Sequence, residues 1–264
     1  MQITLYQVDA FTSEMFGGNP AAVCPLDYWL PDDLLQKIAL ENNLSETAFF
    51  VQEAEGFRIR WFTPTVEVDL CGHATLASAY VLFHELFYTQ TQIIFYSRSG
   101  ELRVSNKQGL LTLDFPADPP FDVPHNPELD HALGKTPSAL LKGVSDYMAV
   151  FESESDIARM APDFSSLGKI PCRGVIVTAP GNEVDFVSRF FAPQSGINED
   201  PVTGSAHTTL TPYWVDRLGK NPLIAKQISQ RVGDLHCQLD QEHGRVLISG
   251  KAVLYMRGEI NLKL

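Results

Sequence analysis

The chain has 264 residues, 44% of them hydrophobic, and a formal net charge of -12, so it can bury a large core in one domain or in two lobes. Its acidic balance opposes binding to nucleic-acid phosphates and to anionic lipid surfaces. No apolar run approaches the ~20 residues that span a bilayer, and the N-terminal segment lacks the basic start and cleavage site of a signal peptide, so a cytoplasmic protein with no membrane or nucleic-acid partner is expected.

The first 43 residues predict a pair of strands followed by a helix. Residues 3–11 alternate polar and apolar side chains, and the turn-forming residues 17–20 lead into a second strand over residues 21–24, an arrangement typical of a hairpin. Pro31 and the two aspartates after it suit the first turn of a helix, which should end near Asn43.

The next predicted strand, residues 44–51, carries a carboxylate in an apolar setting. Strict alternation places Glu46 on the same face as Ala48 and Phe50. Glu46 is then either a solvated residue at a sheet edge or a partly desolvated carboxylate. In the second case its pKa would rise toward a range in which the side chain can act as a general base or acid.

Residues 60–84 are the stretch around which the rest of the chain is organised. A strand at residues 57–62 leads through a turn to Cys71-Gly72-His73, and an apolar run over residues 74–87 then predicts a buried helix. Gly72 permits the sharp turn, and the first amide groups of the helix have no partner within it. Such a helix start can bind an anion.

Further strands and a proline-rich linker complete the first predicted lobe. Strands of a meander are expected at residues 93–96, 101–105 and 110–115. The segment of residues 116–127 is rich in proline, which is typical of a linker. We therefore expect an N-terminal lobe of residues 1–116 and a C-terminal lobe of residues 117–264.

The second lobe is predicted to mix helices with strands. Helical or turn signals occur at residues 127–133, 155–160 and 164–167, and strands are expected at residues 146–151, 174–178, 185–191, 228–232, 235–239, 245–250 and 253–260. A longer helix is predicted from about residue 205 to residue 218. Gly219 could cap this helix, and Pro212 should kink or break it.

The two halves contain related segments. Phe62-Thr63-Pro64 precedes Gly72-His73-Ala74 in the first half, and Phe191-Ala192-Pro193 precedes Gly204-Ser205-Ala206 in the second. In both halves a short acidic approach leads into a helix, and the second segment is three residues longer. This echo indicates an internal duplication, with each lobe presenting a helix start to one shared cleft.

Other motifs argue against several kinds of site. The four cysteines lie far apart without a C-x-x-C spacing, which is against a structural zinc site or a disulfide framework. Cys71 and His73 could begin a metal site. Further ligands would have to come from His207 or Asp69 with no recognised spacing, so no metal is expected. Ser205 and His207 lack a G-x-S-x-G elbow, which is against a hydrolase, and no Walker loop or G-x-G-x-x-G fingerprint implies a nucleotide cofactor.

Four motifs in combination resemble a known family. They recur in order from near residue 8 to about residue 233, so they cover most of the chain, and each alone would be weak evidence. The motifs are Asn19-Pro20-Ala21-Ala22-Val23, Leu44-Ser45-Glu46-Thr47-Ala48-Phe49, Phe62-Thr63-Pro64 with Cys71-Gly72-His73-Ala74-Thr75, and Glu199-Asp200-Pro201-Val202-Thr203-Gly204-Ser205-Ala206-His207. Together they resemble the PhzF-like isomerases of phenazine biosynthesis, which are relatives of diaminopimelate epimerase.

The resemblance implies a fold, an active site and an assembly. The implied fold is α+β, with two pseudo-symmetric lobes that each wrap a curved sheet or barrel around a central helix. The implied site between the lobes needs no cofactor, binds a small carboxylate-bearing metabolite, and belongs to a possible homodimer. Residue by residue, Glu46 matches the glutamate that moves the proton. The other matched residues are His73, Asp200 and Ser205, which complete the catalytic set, and Asn19, Gly72 and Gly204, which would bind substrate.

The chain departs from the pattern of this family and its epimerase relatives at two positions. In the segment Gln227–Gly233, which is similar to the family's Gln…Arg-x-Gly pattern, Val232 stands where glycine is common. The epimerase relatives use two cysteines, whereas here only Cys71 lies near such a position. A two-thiol racemase is therefore disfavoured.

Three functions are consistent with these residues, and the first is favoured over the other two. The first is a cofactor-independent isomerase that transfers a proton through Glu46. The second is a racemase or epimerase that uses Cys71 with a partner that is not a thiol, and the third is a binding protein without turnover. The phenazine precursor, a dihydro-hydroxyanthranilate, is suggested as the substrate by analogy alone.

Overall fold

The first strand of the chain pairs with the last in the computed structural model, which describes residues 1–262. The chain divides into two units. Unit 1 holds Met1–Asp114 together with the residues from Ser249 onward, and unit 2 holds Phe115–Ile248. The expected division, with everything beyond residue 116 in one lobe, differs from this because the last strand pairs antiparallel with the first and so belongs to unit 1.

Unit 1 is a mixed sheet with two helices. Its elements are β1 (Gln2–Ala10), β2 (Asn19–Leu26), α1 (Asp32–Asn42), β3 (Glu46–Glu53), β4 (Gly56–Phe62), β5 (Glu67–Val68), α2 (Gly72–Tyr80), β6 (Gln92–Ser97), β7 (Gly100–Lys107), β8 (Leu110–Pro116) and β18 (Ala252–Asn261). The spatial order is β18, β1, β2, β3, β4, β6, β7, β8, with β5 also paired to β4. The pairs β2–β3 and β4–β6 are parallel and the others are antiparallel.

Helix α2 is buried on all sides, as the sequence predicted. Each of its residues from Gly72 to Ala79 is buried, and it packs against β1, β2, β3 and β18. Its buried hydroxyls bond to the helix itself, since Thr75 Oγ1 donates to the Cys71 carbonyl at 2.6 Å and Ser78 Oγ to the Ala74 carbonyl at 2.7 Å. The α-helix ends earlier than expected and continues as a π-helical turn over Val81–Glu85.

Unit 2 also combines helices with a mixed sheet. Its elements are β9 (Phe121–Asp122), α3 (Pro127–Leu133), β10 (Ala139–Lys142), β11 (Asp146–Val150), α4 (Glu154–Ala158), α5 (Phe164–Leu167), β12 (Gly174–Pro180), β13 (Phe186–Ala192), β14 (Ile197–Asp200), α6 (Ala206–Leu218), β15 (Leu223–Gln227), β16 (Gly233–Asp240) and β17 (Arg245–Gly250). The strands pair in the order β9, β10, β11, β12, β13, and β13 also pairs with β14 and with β15, which continues to β16.

Helix α6 packs against β15 and β16. It runs through Pro212 as one helix and ends at Gly219, whose φ of 61° lies in the left-handed region that glycine favours. Its Trp214 stacks on Phe186, with ring centroids 5.6 Å apart, and donates a 3.0 Å hydrogen bond to Thr178 Oγ1. The predicted start and cap of this helix are confirmed, and of the two effects predicted for Pro212, a kink or a break, the break does not occur.

One other prediction for this part of the chain needs correction. The strand expected at residues 228–232 lies instead at Leu223–Gln227, because the chain turns at Ser229, whose Oγ accepts from the Arg231 amide at 3.3 Å. Strands β9, β10 and β14 have no counterpart among the predicted strands. The proline-rich segment follows the division between the two units at Asp114 and Phe115, and Asp118 within it accepts hydrogen bonds from the Val144 amide and the Thr209 hydroxyl.

No helix within residues 1–262 is long and apolar enough to cross a bilayer.

Candidate active site

Four polar or ionisable side chains of unit 1 converge at the start of α2. Asn19 is the first residue of β2 and Glu46 the first residue of β3, and the parallel register of these strands brings the two starts to the same edge. Cys71 directly precedes α2, and His73 lies in the first turn of the helix. The sheet edge and the helix start therefore deliver a carboxylate, an amide, a thiol and an imidazole to one place.

His73 lies between Asn19 and Glu46. Its Nδ1 is 3.1 Å from the Asn19 amide nitrogen, and its Nε2 is 3.3 Å from Glu46 Oε2. Burial lowers the pKa of His73 to about 3, so the ring is neutral. Because an amide nitrogen only donates, Nδ1 is the acceptor and the ring proton is on Nε2. The Nε2–H therefore lies close to the Glu46 carboxylate, although the two groups do not form an aligned hydrogen bond.

Glu46 and Cys71 are the groups beside His73 that can accept a proton. The Glu46 side chain is 12% exposed, which places it at the rim of the buried cluster rather than in open solvent. The solvated-edge alternative is therefore disfavoured. Cys71 is 8% exposed, and its Sγ is 3.5 Å from His73 Nδ1. No side chain caps the start of α2, which leaves the Gly72 and His73 amides suited to an anion.

Unit 2 holds the second set of predicted residues at the start of α6. Asp200 ends β14, and Thr203 Oγ1 donates to its carboxylate at 2.5 Å. Gln227, which is fully buried, accepts from the Thr203 amide and donates to the Asp200 carbonyl, each at 2.8 Å. These bonds fix the turn that leads to Gly204 and Ser205, and no side chain caps this helix start either.

Arg173 is a residue of this site that the sequence analysis missed. Its guanidinium holds the buried carboxylate of Asp146 through two N–H groups and donates a 3.0 Å hydrogen bond from Nη1 to Ser205 Oγ. It also interacts electrostatically with Asp200 and lies over the Phe190 ring at 5.4 Å. Nothing in the local sequence marks Arg173, because its partners lie 27 and 32 residues away.

His207 is not placed to act as a metal ligand with Cys71 and His73, or as the partner of Ser205 in a hydrolase. Its Nδ1 donates to the Thr203 carbonyl at 2.9 Å, and its ring packs 6.0 Å from Phe186. It therefore orients its own helix turn rather than Ser205. Among residues 1–262, the group of candidate metal ligands is Glu46, Cys71 and His73, so neither His207 nor Asp69 joins it as the sequence analysis had considered.

The internal echo recurs in the hydrogen bonds of the two helix starts. Thr75 donates to the carbonyl of Cys71 at 2.6 Å, and His207 donates to that of Thr203 at 2.9 Å. In both cases the donor lies four residues beyond the acceptor and occupies the corresponding position of the repeated segment. This agreement supports the duplication inferred from the sequence.

The backbone conformation at Val232 explains why glycine is common at this position in the family. Its φ is 54°, in the left-handed region where glycine is favoured and a β-branched residue is strained. The side chain is 41% exposed, so no burial explains the choice of valine. The turn after β15 therefore holds a β-branched residue in a backbone conformation that glycine adopts without strain.

The sequence is similar to known proteins over nearly its whole length. The sequence profile of the family described as phenazine biosynthesis-like protein matches residues 8–258. A protein of Pseudomonas aeruginosa named uncharacterized isomerase is 55% identical over 262 residues, covering 99% of this chain and 100% of that protein. Phenazine biosynthesis-like domain-containing protein 1 of Mus musculus is 42% identical, covering 98% and 99% respectively.

Solved structures give the same result. A phenazine biosynthesis protein of the PhzF family from Enterococcus faecalis superposes with a TM-score of 0.96 at 48% identity, covering 99% of this chain and 100% of that one. A hydroxyproline epimerase from Agrobacterium vitis, with bound trans-4-hydroxy-L-proline, shares the fold at a TM-score of 0.65 and 9% identity, covering 98% and 92%. The predicted α+β, diaminopimelate epimerase-like fold is confirmed. The chain belongs to the phenazine biosynthesis-like, or PhzF, family.

Proposed function

We propose that this protein is an isomerase that moves a proton within a small carboxylate-bearing metabolite, with Glu46 as the proton carrier. The observation that carries the proposal is the position of His73, whose Nε2 faces Glu46 Oε2 at 3.3 Å while Asn19 fixes its other nitrogen. The relative from Pseudomonas aeruginosa that is named an isomerase supports this class of reaction.

The arrangement favours a single base that is used twice. Glu46 removes a proton from one carbon of the substrate, and the electron pair of that C–H bond moves into adjacent double bonds of the substrate. The same carboxyl group then returns the proton to a second carbon. The neutral His73 ring keeps its N–H beside the carboxylate, and the largely buried cluster limits exchange with water.

The substrate's carboxylate would be bound by amide groups at a helix start, either Gly72 and His73 or Gly204 and Ser205. A helix start contributes about 0.3–1 kcal/mol to binding an anion at an exposed end and up to ~2 when partly buried. That is enough to offset the diffuse field of the net charge of -12, which salt screens within about 10 Å. Contacts of Asp200 and Ser205 with the substrate remain predictions.

A thiol-based epimerase is the second candidate. Cys71 Sγ lies 3.5 Å from His73 Nδ1, so the imidazole could accept the thiol proton. The corresponding residue of the second repeat is Thr203, which offers no second thiol. A racemase using Cys71 would therefore need a partner of another kind.

The test is deuterium incorporation from deuterated water, first across a metabolite screen and then in variants. Glu46→Gln keeps the size and polarity of the side chain but removes its basicity, so turnover should fall by about 10²–10⁴-fold while binding is largely kept. Cys71→Ala should cost far less. Glu53→Gln is a matched control on the same strand, because Glu53 faces solvent and pairs with Arg58.

Two outcomes would contradict the proposal. An inactive Cys71→Ala enzyme beside an active Glu46→Gln enzyme would assign the reaction to the thiol. A protein that binds a metabolite but exchanges no deuterium into it would be a binding protein without turnover.

A further inference from the structure

We propose that the start of α2 is also a binding site for a thiophilic divalent cation such as Zn²⁺, with Cys71 Sγ and His73 Nδ1 as its ligands. One ligand atom each from Glu46, Cys71 and His73 lies within 4.8 Å of the others. The thiol and the imidazole are therefore close enough to bind one ion, with the carboxylate beside them.

The distance between the two proposed ligand atoms fits tetrahedral zinc. Zn–S bonds of about 2.3 Å and Zn–N bonds of about 2.0–2.1 Å place the sulfur and nitrogen about 3.5 Å apart at the tetrahedral angle. Cys71 Sγ and His73 Nδ1 are 3.5 Å apart. An ion could therefore bind without a large movement of either side chain.

Glu46 would act on the ion through His73. An imidazole that binds a metal through one nitrogen commonly donates its other N–H to a carboxylate, which fixes the ring and raises its basicity. His73 Nε2 lies 3.3 Å from Glu46 Oε2, while Nδ1 has its lone pair directed toward the Asn19 amide. The ion would replace that amide at Nδ1 and leave the Glu46 contact in place.

The charges also suit a divalent ion. Binding converts the Cys71 thiol to a thiolate and releases its proton to solvent. The thiolate and the Glu46 carboxylate together carry two negative charges, which neutralise a divalent cation in a largely buried place. A thiolate and an imidazole favour Zn²⁺ or Co²⁺ over Mg²⁺, which requires oxygen ligands in an octahedron.

Such an ion would inhibit the enzyme reversibly. Two protein ligands leave other positions of the ion to water, so the ion can dissociate. While bound, it displaces the Asn19 amide from His73 Nδ1 and places a divalent charge next to the ring that lies beside the proposed base Glu46. Only this inhibitory consequence rests on the proposed function, since the binding site itself does not depend on which reaction the protein catalyses.

Cobalt titration of the full chain tests the site without any substrate. Reduced protein free of chelator should develop a thiolate-to-cobalt charge-transfer band that saturates at one ion per chain, and Zn²⁺ but not Mg²⁺ should abolish the band. Cys71→Ser should lose the band. Cys172→Ser, which changes a partly buried cysteine of unit 2, should keep it.

The cobalt affinity of a Glu46 variant is a second test, and it needs only folded protein. Glu46→Gln should weaken cobalt binding by about 10–100-fold, the usual effect of removing a carboxylate that orients a metal-bound histidine. No band in the wild-type protein, or a band that persists in Cys71→Ser, would overturn the site. Unchanged affinity in Glu46→Gln would overturn the role given to the carboxylate. Failure to find deuterium exchange would affect only the proposed function.

Discussion

The buried imidazole of His207 should make the stability of the protein depend on pH. Burial lowers the pKa of His207 from its ordinary value of 6.5 to about 4, an effect that its bond to the Thr203 carbonyl only partly opposes. Its Nε2 has no hydrogen-bond partner among the described residues, so a proton added there would create a buried charge without an acceptor.

The sign and size of the effect follow from proton linkage. The folded pKa lies below the unfolded one, so between these values the unfolded state binds a proton that the folded state does not. The stability contributed by the neutral ring is therefore complete above pH 6.5 and is lost as the pH falls toward 4. With pKa values of 6.5 and about 4, the free energy of unfolding should decrease by about 2 kcal/mol between pH 7 and pH 5 from this residue alone.

Urea denaturation at pH 7 and pH 5 measures this change. In His207→Asn the amide nitrogen can keep the bond to the Thr203 carbonyl but cannot titrate, so the loss between the two pH values should be about 2 kcal/mol smaller than in the wild type. The variant will be less stable at both pH values because of the smaller side chain. His236→Asn, at an exposed position of β16, should keep the wild-type pH dependence. An equal pH-dependent loss in His207→Asn and the wild type would refute the reasoning.

Two further substitutions test structural features of unit 2. Arg173→Gln should lower the free energy of unfolding by roughly 2–4 kcal/mol in urea denaturation, because it leaves the buried Asp146 carboxylate without its cation, and adding Asp146→Asn should restore part of the loss. If Arg173→Gln is as stable as the wild type, the ion pair is not structural. Val232→Gly should raise the free energy of unfolding by about 0.5–1 kcal/mol by relieving the left-handed backbone, whereas Val232→Ala, with the same backbone penalty, should gain little. Equal gains in the two variants would argue against backbone strain.

Local sequence patterns were sufficient to predict most elements and half of the candidate site. The turn at Gly72, the helix that follows it and the strand that carries Glu46 are each encoded within a few residues. Their predicted proximity rested on the family resemblance, and the structure brings Glu46 and His73 within 3.3 Å. These features depend on periodicity, turn chemistry and helix starts, which are local properties.

The missed features depend on contacts between distant parts of the chain. Arg173 bonds to residues 27 and 32 positions away, and no pattern around it marks either partner. The last strand, β18, pairs with β1, which lies at the other end of the chain. The position of the linker therefore does not indicate that β18 belongs to unit 1. Strand β15 was misplaced because residues 228–232 are as strand-like in composition as Leu223–Gln227, and the turn at Ser229 depends on a hydrogen bond.

The difference between Cys71 and Thr203 has a stereochemical consequence. These residues precede the repeated glycines, yet one carries a thiol beside an imidazole and the other a hydroxyl already bonded to Asp200 at 2.5 Å. An enzyme with matched thiols can take a proton from one side of a carbon and supply another from the opposite side, so it produces mirror-image products. Where Glu46 alone carries the proton, as proposed, the proton leaves and returns on one face of the substrate. The product should then be a single stereoisomer, with the double bonds rather than the configuration rearranged.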